Sequence, residues 1–516
     1  MRRHRTFALL LACIAVPAAI LAGCGGDDDG GDVDVGPAAA VPENAPIYID
    51  ATVKPQGSAR TDAETALGKI LDTGDAGGKL ISLIDQEGQE EPAAQRFTYE
   101  ADIAPWLGDR IGVFFTSFAG EGTGAAVVET TDPQAALDFA RRSEGISGTT
   151  GETAYNGASY QRTGEGDDAF GLVGDFLVFG DEPGVKAAID ADTGDSLSDS
   201  GDFTDALGDL PDDRLGTFYT VPKNLLGAIP PDEIDPSGRA FFEQAAGDKL
   251  DTPVSGSLTA SEDSLDLEFN AEGESVDTPE SSLIGNVPSD AWLALGIADL
   301  GNSLNQTLDQ LKDSGIPGFE QGLSQIETVT GSSLDELTGT LGDSVIYVKG
   351  TTQQALSGAL VVQVNDPDLT GRLLSQLRGI LSLGGAGAVR PLSLPSGGSG
   401  LQINDPSEFP QPIEIAQQGD TFIIGYGAGS AQEALRPGQP LSGAPGFTTG
   451  QGQISSLGTD LFLSFPPIFQ LAESTGAKSD PDYLEAKPYI DALDYLISGS
   501  GTDDGNAEVK AVLGLK

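Results

Sequence analysis

The chain has 516 residues with a hydrophobic fraction of 39%, which is enough for a folded core and indicates roughly two to four domains. Its 79 acidic and 27 basic residues give a formal net charge of −52, which disfavours nucleic acid as a partner because an acidic surface repels phosphate. The first 23 residues contain the only methionine (Met1), the only histidine (His4) and one of the two cysteines (Cys13). Without them the chain lacks the side chains for His-dependent triads, Cys/His zinc sites and intrachain disulfides.

An export signal is predicted at the start of the chain. Three arginines precede the apolar run of residues 7–22, which is short for a membrane span. The run ends in Leu21-Ala22-Gly23-Cys24, which resembles the lipobox of bacterial lipoproteins, where the cysteine receives a diacylglyceryl group and the chain is cleaved just before it. We therefore predict a lipoprotein signal peptide at residues 1–23 and lipid attachment at Cys24, because two acyl chains anchor a protein stably.

A flexible acidic tether is predicted at residues 24–40. This stretch is dominated by Gly, Asp, Ala and Pro and has no periodic apolar pattern. Such a segment cannot bury one face, so its charges are interpreted as those of a solvated spacer.

The remainder of the chain contains the same series of local patterns twice, about 234 to 246 positions apart. Seven pairs of landmarks keep one order: Val41-Pro42 and Val287-Pro288, Leu107-Gly108-Asp109 and Leu341-Gly342-Asp343, Asp132-Pro133 and Asp366-Pro367, Gly174-Asp175 and Gly419-Asp420, Phe203 and Phe447, residues 217–222 and 461–466, and residues 254–257 and 497–500. The order predicts an internal duplication.

The landmarks also predict local structure. Asp132-Pro133 and Asp366-Pro367 place an N-cap carboxylate before a proline at the first helical position, where its missing N–H is not needed. Gly174-Asp175 and Gly419-Asp420 lie between apolar runs, as hairpin turns do. Residues 265–269 alternate apolar and acidic side chains, which indicates a strand with one solvated face.

We predict an α+β fold of two tandem homologous units, each a mainly antiparallel sheet with packed helices, because strands follow strands closely. The first unit is assigned to residues 41–273, the linker to 274–285 and the second unit to 286–516. Leu300, Leu304, Leu308 and Leu311 share one helical face. Residues 384–412, rich in Gly, Ser and Pro, are interpreted as a long loop within the second unit.

The landmarks resemble a known family, the bacterial envelope proteins grouped as domain of unknown function 3352. The likeness lies in the opening Val41, Pro42 and Ala45, in residues 102–109, and in the helix start Asp132-Pro133. These motifs are structural, so the resemblance implies an envelope location and supplies no catalytic residue. The second unit has Thr340 where the first has Trp106, so a role special to that tryptophan is not shared.

A calcium site is the most specific candidate for chemistry, since hard cations take several carboxylate oxygens. The candidate ligands lie in one Gly- and Ser-rich stretch: Asp190, Asp192, Asp195, Asp199 and Asp202. The stretch fails the EF-hand pattern because Asp195 stands where the required glycine belongs. A solvated acidic loop is the preferred interpretation, and a cation-dependent adhesion module remains an alternative.

Two further interpretations concern enzymatic activity and the aromatic residues. A pair of carboxylates is enough for a glycosidase, so a carboxylate-dependent hydrolase acting on envelope glycans is another alternative. Close carboxylate pairs are expected by chance in so acidic a chain, and no phosphate-binding glycine motif is present in the sequence. The aromatic residues in strand-like runs, Tyr48 and Phe114 among them, are assigned to the core.

The predicted function is therefore that of a non-catalytic binding or scaffolding module, without a cofactor. It is expected at the extracytoplasmic face of the cell membrane, held there by lipid on Cys24, with an envelope protein or polymer as its partner. The charge is interpreted as a property of the whole surface that keeps the protein soluble and repels anionic lipid beyond the anchor.

Overall fold

The computed structural model describes residues 35–516 apart from 121, 147–150, 164–167, 232–233, 235–238, 240–246, 272–280, 314–318, 384–387, 395–396, 455–456 and 504. The chain divides into two compact units, Met1–Glu274 and Ser275–Lys516. Within these described ranges, no helix combines the length and the apolar character that crossing a bilayer requires. The predicted signal peptide, Cys24 and most of the predicted linker lie outside the described residues.

The first unit contains an antiparallel sheet. Its described strands are β1 Ile47–Thr52, β2 Leu107–Ser117, β3 Thr123–Thr130, β4 Glu152–Tyr155, β5 Ala158–Arg162, β6 Asp168–Val173, β7 Phe176–Asp181, β8 Gly216–Thr220, β9 Val254–Ala260 and β10 Ser264–Ala271. They pair in the order β10-β9-β8-β1-β2-β3-β7-β6-β5-β4. The described helices are α1 Gly57–Ile70, α2 Ala76–Glu90, α3 Pro133–Ser143, α4 Glu182–Thr193, α5 Gly201–Gly208 and α6 Pro222–Ala228. A π-helical turn, Tyr99–Ile103, precedes β2.

The second unit also contains an antiparallel sheet. Its described strands are β11 Ala291–Ile297, β12 Leu341–Lys349, β13 Ser357–Val364, β14 Ala388–Ser393, β15 Ser399–Asn404, β16 Ile413–Gln418, β17 Thr421–Tyr426, β18 Gly458–Ser464, β19 Leu493–Asp503 and β20 Asn506–Leu515. They pair in the order β20-β19-β18-β11-β12-β13-β17-β16-β15-β14. The described helices are α7 Leu300–Asp313, α8 Phe319–Thr330, α9 Leu334–Gly339, α10 Pro367–Leu383, α11 Ser430–Leu435, α12 Pro445–Gln453, α13 Phe465–Ser474 and α14 Pro481–Ile490. The strands of the two units therefore pair in the same order, and the α+β class with antiparallel pairing is confirmed.

Each sheet carries apolar side chains on both faces because successive residues of a strand point to opposite sides. On one face of the first sheet, Tyr48 and Phe114 pack in a core with α4 and the short 3-10 helix Gly36–Ala40. On the other face, Val113 and Phe179 pack in a second core with Phe139 of α3. The assignment of Tyr48 and Phe114 to the core is confirmed.

The predicted hairpin turns and helix caps are confirmed. Gly174-Asp175 joins β6 to β7 and Gly419-Asp420 joins β16 to β17, and both glycines have positive φ, +55° and +62°. That backbone conformation favours glycine because it has no Cβ. The Asp132 carboxylate accepts from the Ala135 N–H at 3.0 Å, at the start of α3.

Two assignments are wrong. The predicted tether includes Gly36–Ala40, but this segment forms a 3-10 helix whose Pro37, Ala38 and Ala40 are buried, because small side chains can enter a crowded core without an amphipathic pattern. The predicted loop at residues 384–412 contains β14 and β15. Pro391 obscured the first of these strands in the sequence, and it is tolerated because β14 ends the pairing order of the described strands, where an N–H donor is dispensable.

Candidate functional site

Two of the five aspartates of the calcium alternative accept hydrogen bonds from nearby side chains. Asp190 is on α4 and accepts a hydrogen bond from the Tyr155 hydroxyl at 2.8 Å. Asp199 forms a capping box with Ser196, whose hydroxyl holds the pKa of Asp199 below its ordinary value. The other three aspartates are exposed: Asp192, Asp195 and Asp202. Over the ranges that the structure describes, no three His, Cys, Asp or Glu residues are grouped so that they could hold a metal ion.

Glu182 is the centre of an ion-paired cluster on the first unit. It accepts from the Tyr160 hydroxyl and from Arg162, both at 2.5 Å, and pairs with Lys186 at 2.7 Å. The Lys186 Nζ also lies 5.3 Å from the ring centroid of Tyr155. Hydrogen bonding, from Lys186 first and then from Tyr160, lowers the pKa of Glu182 to about 2. A carboxylate this acidic is ionised near neutral pH and does not suit a general acid.

A buried ion pair lies between the first two strands of the first unit. Arg110 of β2 donates through Nη2 to Oδ1 of Asp50 on β1 at 2.7 Å, and both side chains are more than nine-tenths buried. Gly36, at the start of the 3-10 helix, packs against the Arg110 side chain so closely that an added Cβ would come within 3.0 Å of Cδ. These contacts tie the start of the described chain to the core of the first unit.

Asp460 on β18 is a carboxyl group of the second unit whose pKa is raised. Burial raises the pKa, and a hydrogen bond from the Ser500 hydroxyl at 2.6 Å opposes the shift. A raised pKa suits a general acid, but the polar contact described for Asp460 is to a hydroxyl and not to the second carboxylate that a glycosidase uses. Sequence reasoning missed this residue because its desolvation depends on packing between strands distant in the chain.

An uncovered apolar row crosses the middle of the second sheet. Leu295, Ile346, Leu360 and Ile424 are directly paired across β11, β12, β13 and β17, and we call this row the open strip. Ile346 is 36% exposed and Ile424 is 39% exposed, while Leu295 and Leu360 are partly exposed. Large aliphatic side chains at the centre of a sheet are normally covered, so the open strip is a candidate contact surface.

Three of the four residues in the row that holds the same place in the first sheet are buried, and the fourth, Ile49, is partly exposed. The row consists of Ile49, Val113, Ala126 and Phe179, paired across β1, β2, β3 and β7. Val113 is 7% exposed and Phe179 is 8% exposed. The same sheet position is therefore mostly buried in the first unit and open in the second.

One difference between the two units lies in the segment that precedes β2 or β12. In the first unit, residues 91–106 supply Phe97, Tyr99 and Trp106, which we call the aromatic cover because they belong to the same core cluster as Val113 and Phe179. The Trp106 and Phe97 rings each lie 5.5 Å from the Phe139 ring, and the Trp106 Nε1 donates to the Asp102 carbonyl at 2.6 Å. In the second unit, residues 331–340 form a shorter segment without an aromatic residue.

The open strip can bind an apolar partner through side chains only. Each of its four strands has a neighbour on both sides, so the backbone N–H and C=O groups are used in the sheet ladders. A shallow depression along α10, lined by Pro367, Gly371 and Arg372 among others, lies apart from the strip residues. The sequence did contain one signal of the open strip, the replacement of Trp106 by Thr340, but sequence alone did not show which face that tryptophan covers.

Comparison with known protein families gives a match over most of the chain. A family model described as "Protein of unknown function (DUF3352)" matches residues 6–394, a range that contains three of the four strip residues and ends before Ile424. No curated protein and no solved structure matches the chain.

Proposed function

The chain belongs to the protein family of unknown function DUF3352, and we propose that it is an exported, lipid-anchored protein that acts as a non-catalytic binding module at the extracytoplasmic face of the cell membrane. In this proposal Cys24 carries the anchor, and the open strip of the second unit is the contact surface. The support for the anchor is the basic start, the apolar run and Leu21-Ala22-Gly23-Cys24.

We further propose that the two units arose by duplication. The ordered landmarks in the sequence and the shared order of strand pairing support a common origin. After duplication, one unit kept an aromatic cover over its central row and the other has none at that place. A duplicated sheet with one closed and one open face is consistent with a structural role for the first unit and a binding role for the second.

The observation that carries the proposal is the exposure of Ile346 and Ile424 in the middle of a paired sheet. Burial of such side chains contributes about 25 cal/mol of stabilisation for each Å² of apolar surface removed from solvent. A partner that covers the strip recovers this stabilisation.

Site-specific photo-crosslinking in living cells tests the proposal. A photoreactive phenylalanine analogue replaces Ile346 or Ile424, and the controls carry it at Leu83 or Leu267, which are exposed aliphatic residues of the first unit. We expect an irradiation-dependent adduct of higher mass at the two strip positions only, because only these belong to the proposed contact surface. Absence of adducts at the strip, or equal adducts at the control positions, contradicts the proposal.

A further inference from the structure

We propose that the partner of the open strip is a basic amphipathic helix of another envelope protein. This inference rests on the proposed function and names the chemical class of its partner. It follows from what the strip offers for contact and from the charge of the helices that precede β12.

The strip favours a helix over an extended peptide. An extended peptide binds a sheet by adding a strand to an edge, and the four strip strands are internal. The strip side chains are all aliphatic: Leu295, Ile346, Leu360 and Ile424. A helix satisfies its own backbone and presents one apolar face, so it can cover this row without leaving polar groups unpaired.

The helices that precede β12, the strand of Ile346, are acidic. Helix α7 packs on β12, and α8 and α9 pack on α7. Residues 300–343 contain seven acidic residues and one basic residue, Lys312. The Lys312 ammonium pairs with Asp309 at 3.0 Å, and its pKa is raised first by that hydrogen bond and in smaller part by the charges of Asp335 and Glu327. Several carboxylates therefore gather around a single cation.

The same helices expose aliphatic side chains: Leu304, Ile326 and Val329. An apolar surface next to unbalanced carboxylates is complementary to a helix with an apolar face and basic flanks. The formal charge of −52 disfavours two other partners of the strip, because a second copy of the chain and an anionic lipid surface would both be repelled. Charge complementarity thus selects a basic partner.

A peptide titration of the exported form, residues 24–516 with Cys24→Ser, tests the inference. The probe is a fluorescent peptide of about 14 residues with leucine on one helical face and lysine elsewhere. One control peptide has glutamate in place of lysine, and another has the same leucines and lysines in an order without an apolar face. Fluorescence anisotropy measures affinity, and circular dichroism measures the helix content gained on binding.

Matched variants assign the binding to a surface. Ile346→Ser with Ile424→Ser removes apolar contact from the strip, and Leu83→Ser with Leu267→Ser removes similar exposed contact from the first unit. We expect the strip variant to bind the Leu/Lys peptide about tenfold more weakly, and the control variant to bind like the parent. Glu327→Gln with Asp335→Asn should weaken binding about threefold at low salt, and more than Asp212→Asn with Asp213→Asn, which removes two exposed charges from the first unit.

Several results overturn the inference. Equal affinity of the strip variant and its control shows only general attraction to an acidic surface. If the Leu/Glu peptide binds as tightly as the Leu/Lys peptide, the partner is not selected by its basic charge. If phosphatidylcholine vesicles or a second copy of the chain bind at the strip and the peptide does not, the partner is of a different class. If adducts form only at the strip in cells but the Leu/Lys peptide does not bind, the basic helix is the wrong partner and the proposed function stands. If no adducts form at the strip, the proposed function itself is contradicted.

Discussion

At the scale of single residues, burial separates the charged groups that matter for stability from those that do not. The pair between Arg110 and Asp50 is buried, and Oδ2 of Asp50 has no hydrogen-bond partner among the described residues. The pair between Lys223 and Asp251 is exposed on both sides. Removing one member of a buried pair leaves the other charge in a medium that solvates it poorly, whereas an exposed partner is solvated by water.

We expect Asp50→Ala to reduce the free energy of unfolding by about 3–5 kcal/mol, because it removes the carboxylate that accepts from Nη2 of the buried Arg110 side chain. Urea unfolding of the exported form, followed by circular dichroism, measures the change. Asp251→Ala is the control and should unfold like the parent. Equal loss in the two variants would show that burial of the Arg110 pair has no special effect on stability.

At the scale of elements, the aromatic cover explains why two sheets with the same strand order differ in exposure. Residues 91–106 bring Phe97, Tyr99 and Trp106 onto the row that contains Val113 and Phe179. Residues 331–340 cannot do the same because they are fewer and contain no ring. The segment before β2 therefore contributes, together with Phe139 of α3, to the burial of this face of the first sheet.

We expect Trp106→Thr, which introduces the residue found at the matching place in the second unit, to reduce the free energy of unfolding by about 3–5 kcal/mol. The reason is the loss of a large buried side chain and the cavity left next to Phe139. Trp292→Thr is the control, since this tryptophan is only partly buried and donates one hydrogen bond to the Gly350 carbonyl. Denaturant unfolding followed by the fluorescence of the remaining tryptophan reports both variants, and a smaller loss for Trp106→Thr than for Trp292→Thr would contradict the role of the cover.

At the scale of the whole molecule, the proposed anchor decides where the two units act. The described chain begins at Val35, and Gly36–Ala40 is already part of the folded core. Between Cys24 and this core there are consequently about ten residues, which reach at most ~35 Å when extended. A lipid at Cys24 would therefore hold the first unit close to the membrane surface.

We expect Cys24→Ser to release the protein from the membrane fraction or to leave its precursor uncleaved, because the thiol is the proposed site of acylation. Cell fractionation with immunoblotting, together with metabolic labelling by a fatty-acid analogue, measures both outcomes. Cys13→Ser, within the apolar run, is the control and should leave attachment and labelling intact. Unchanged attachment and labelling of Cys24→Ser would contradict the anchor.

The sequence by itself determined the features that depend on neighbouring residues. Asp132-Pro133 specified a helix start and Gly174-Asp175 a hairpin turn, because caps and tight turns are set by local hydrogen bonds and backbone conformation. The alternating pattern of residues 265–269 identified a strand, which lies within β10, for the same reason. The family resemblance followed from these local motifs.

The tertiary structure alone decided which apolar residues are covered. The pattern around Ile346 does not differ in kind from that around Val113, and it is the packing of residues 91–106 and of α3 against the first sheet that buries the row of Val113. Gly36–Ala40 was misassigned for a related reason, because a small-residue segment is buried or exposed according to what packs against it. Burial is a property of contacts between segments distant in the chain, and local sequence patterns do not contain it.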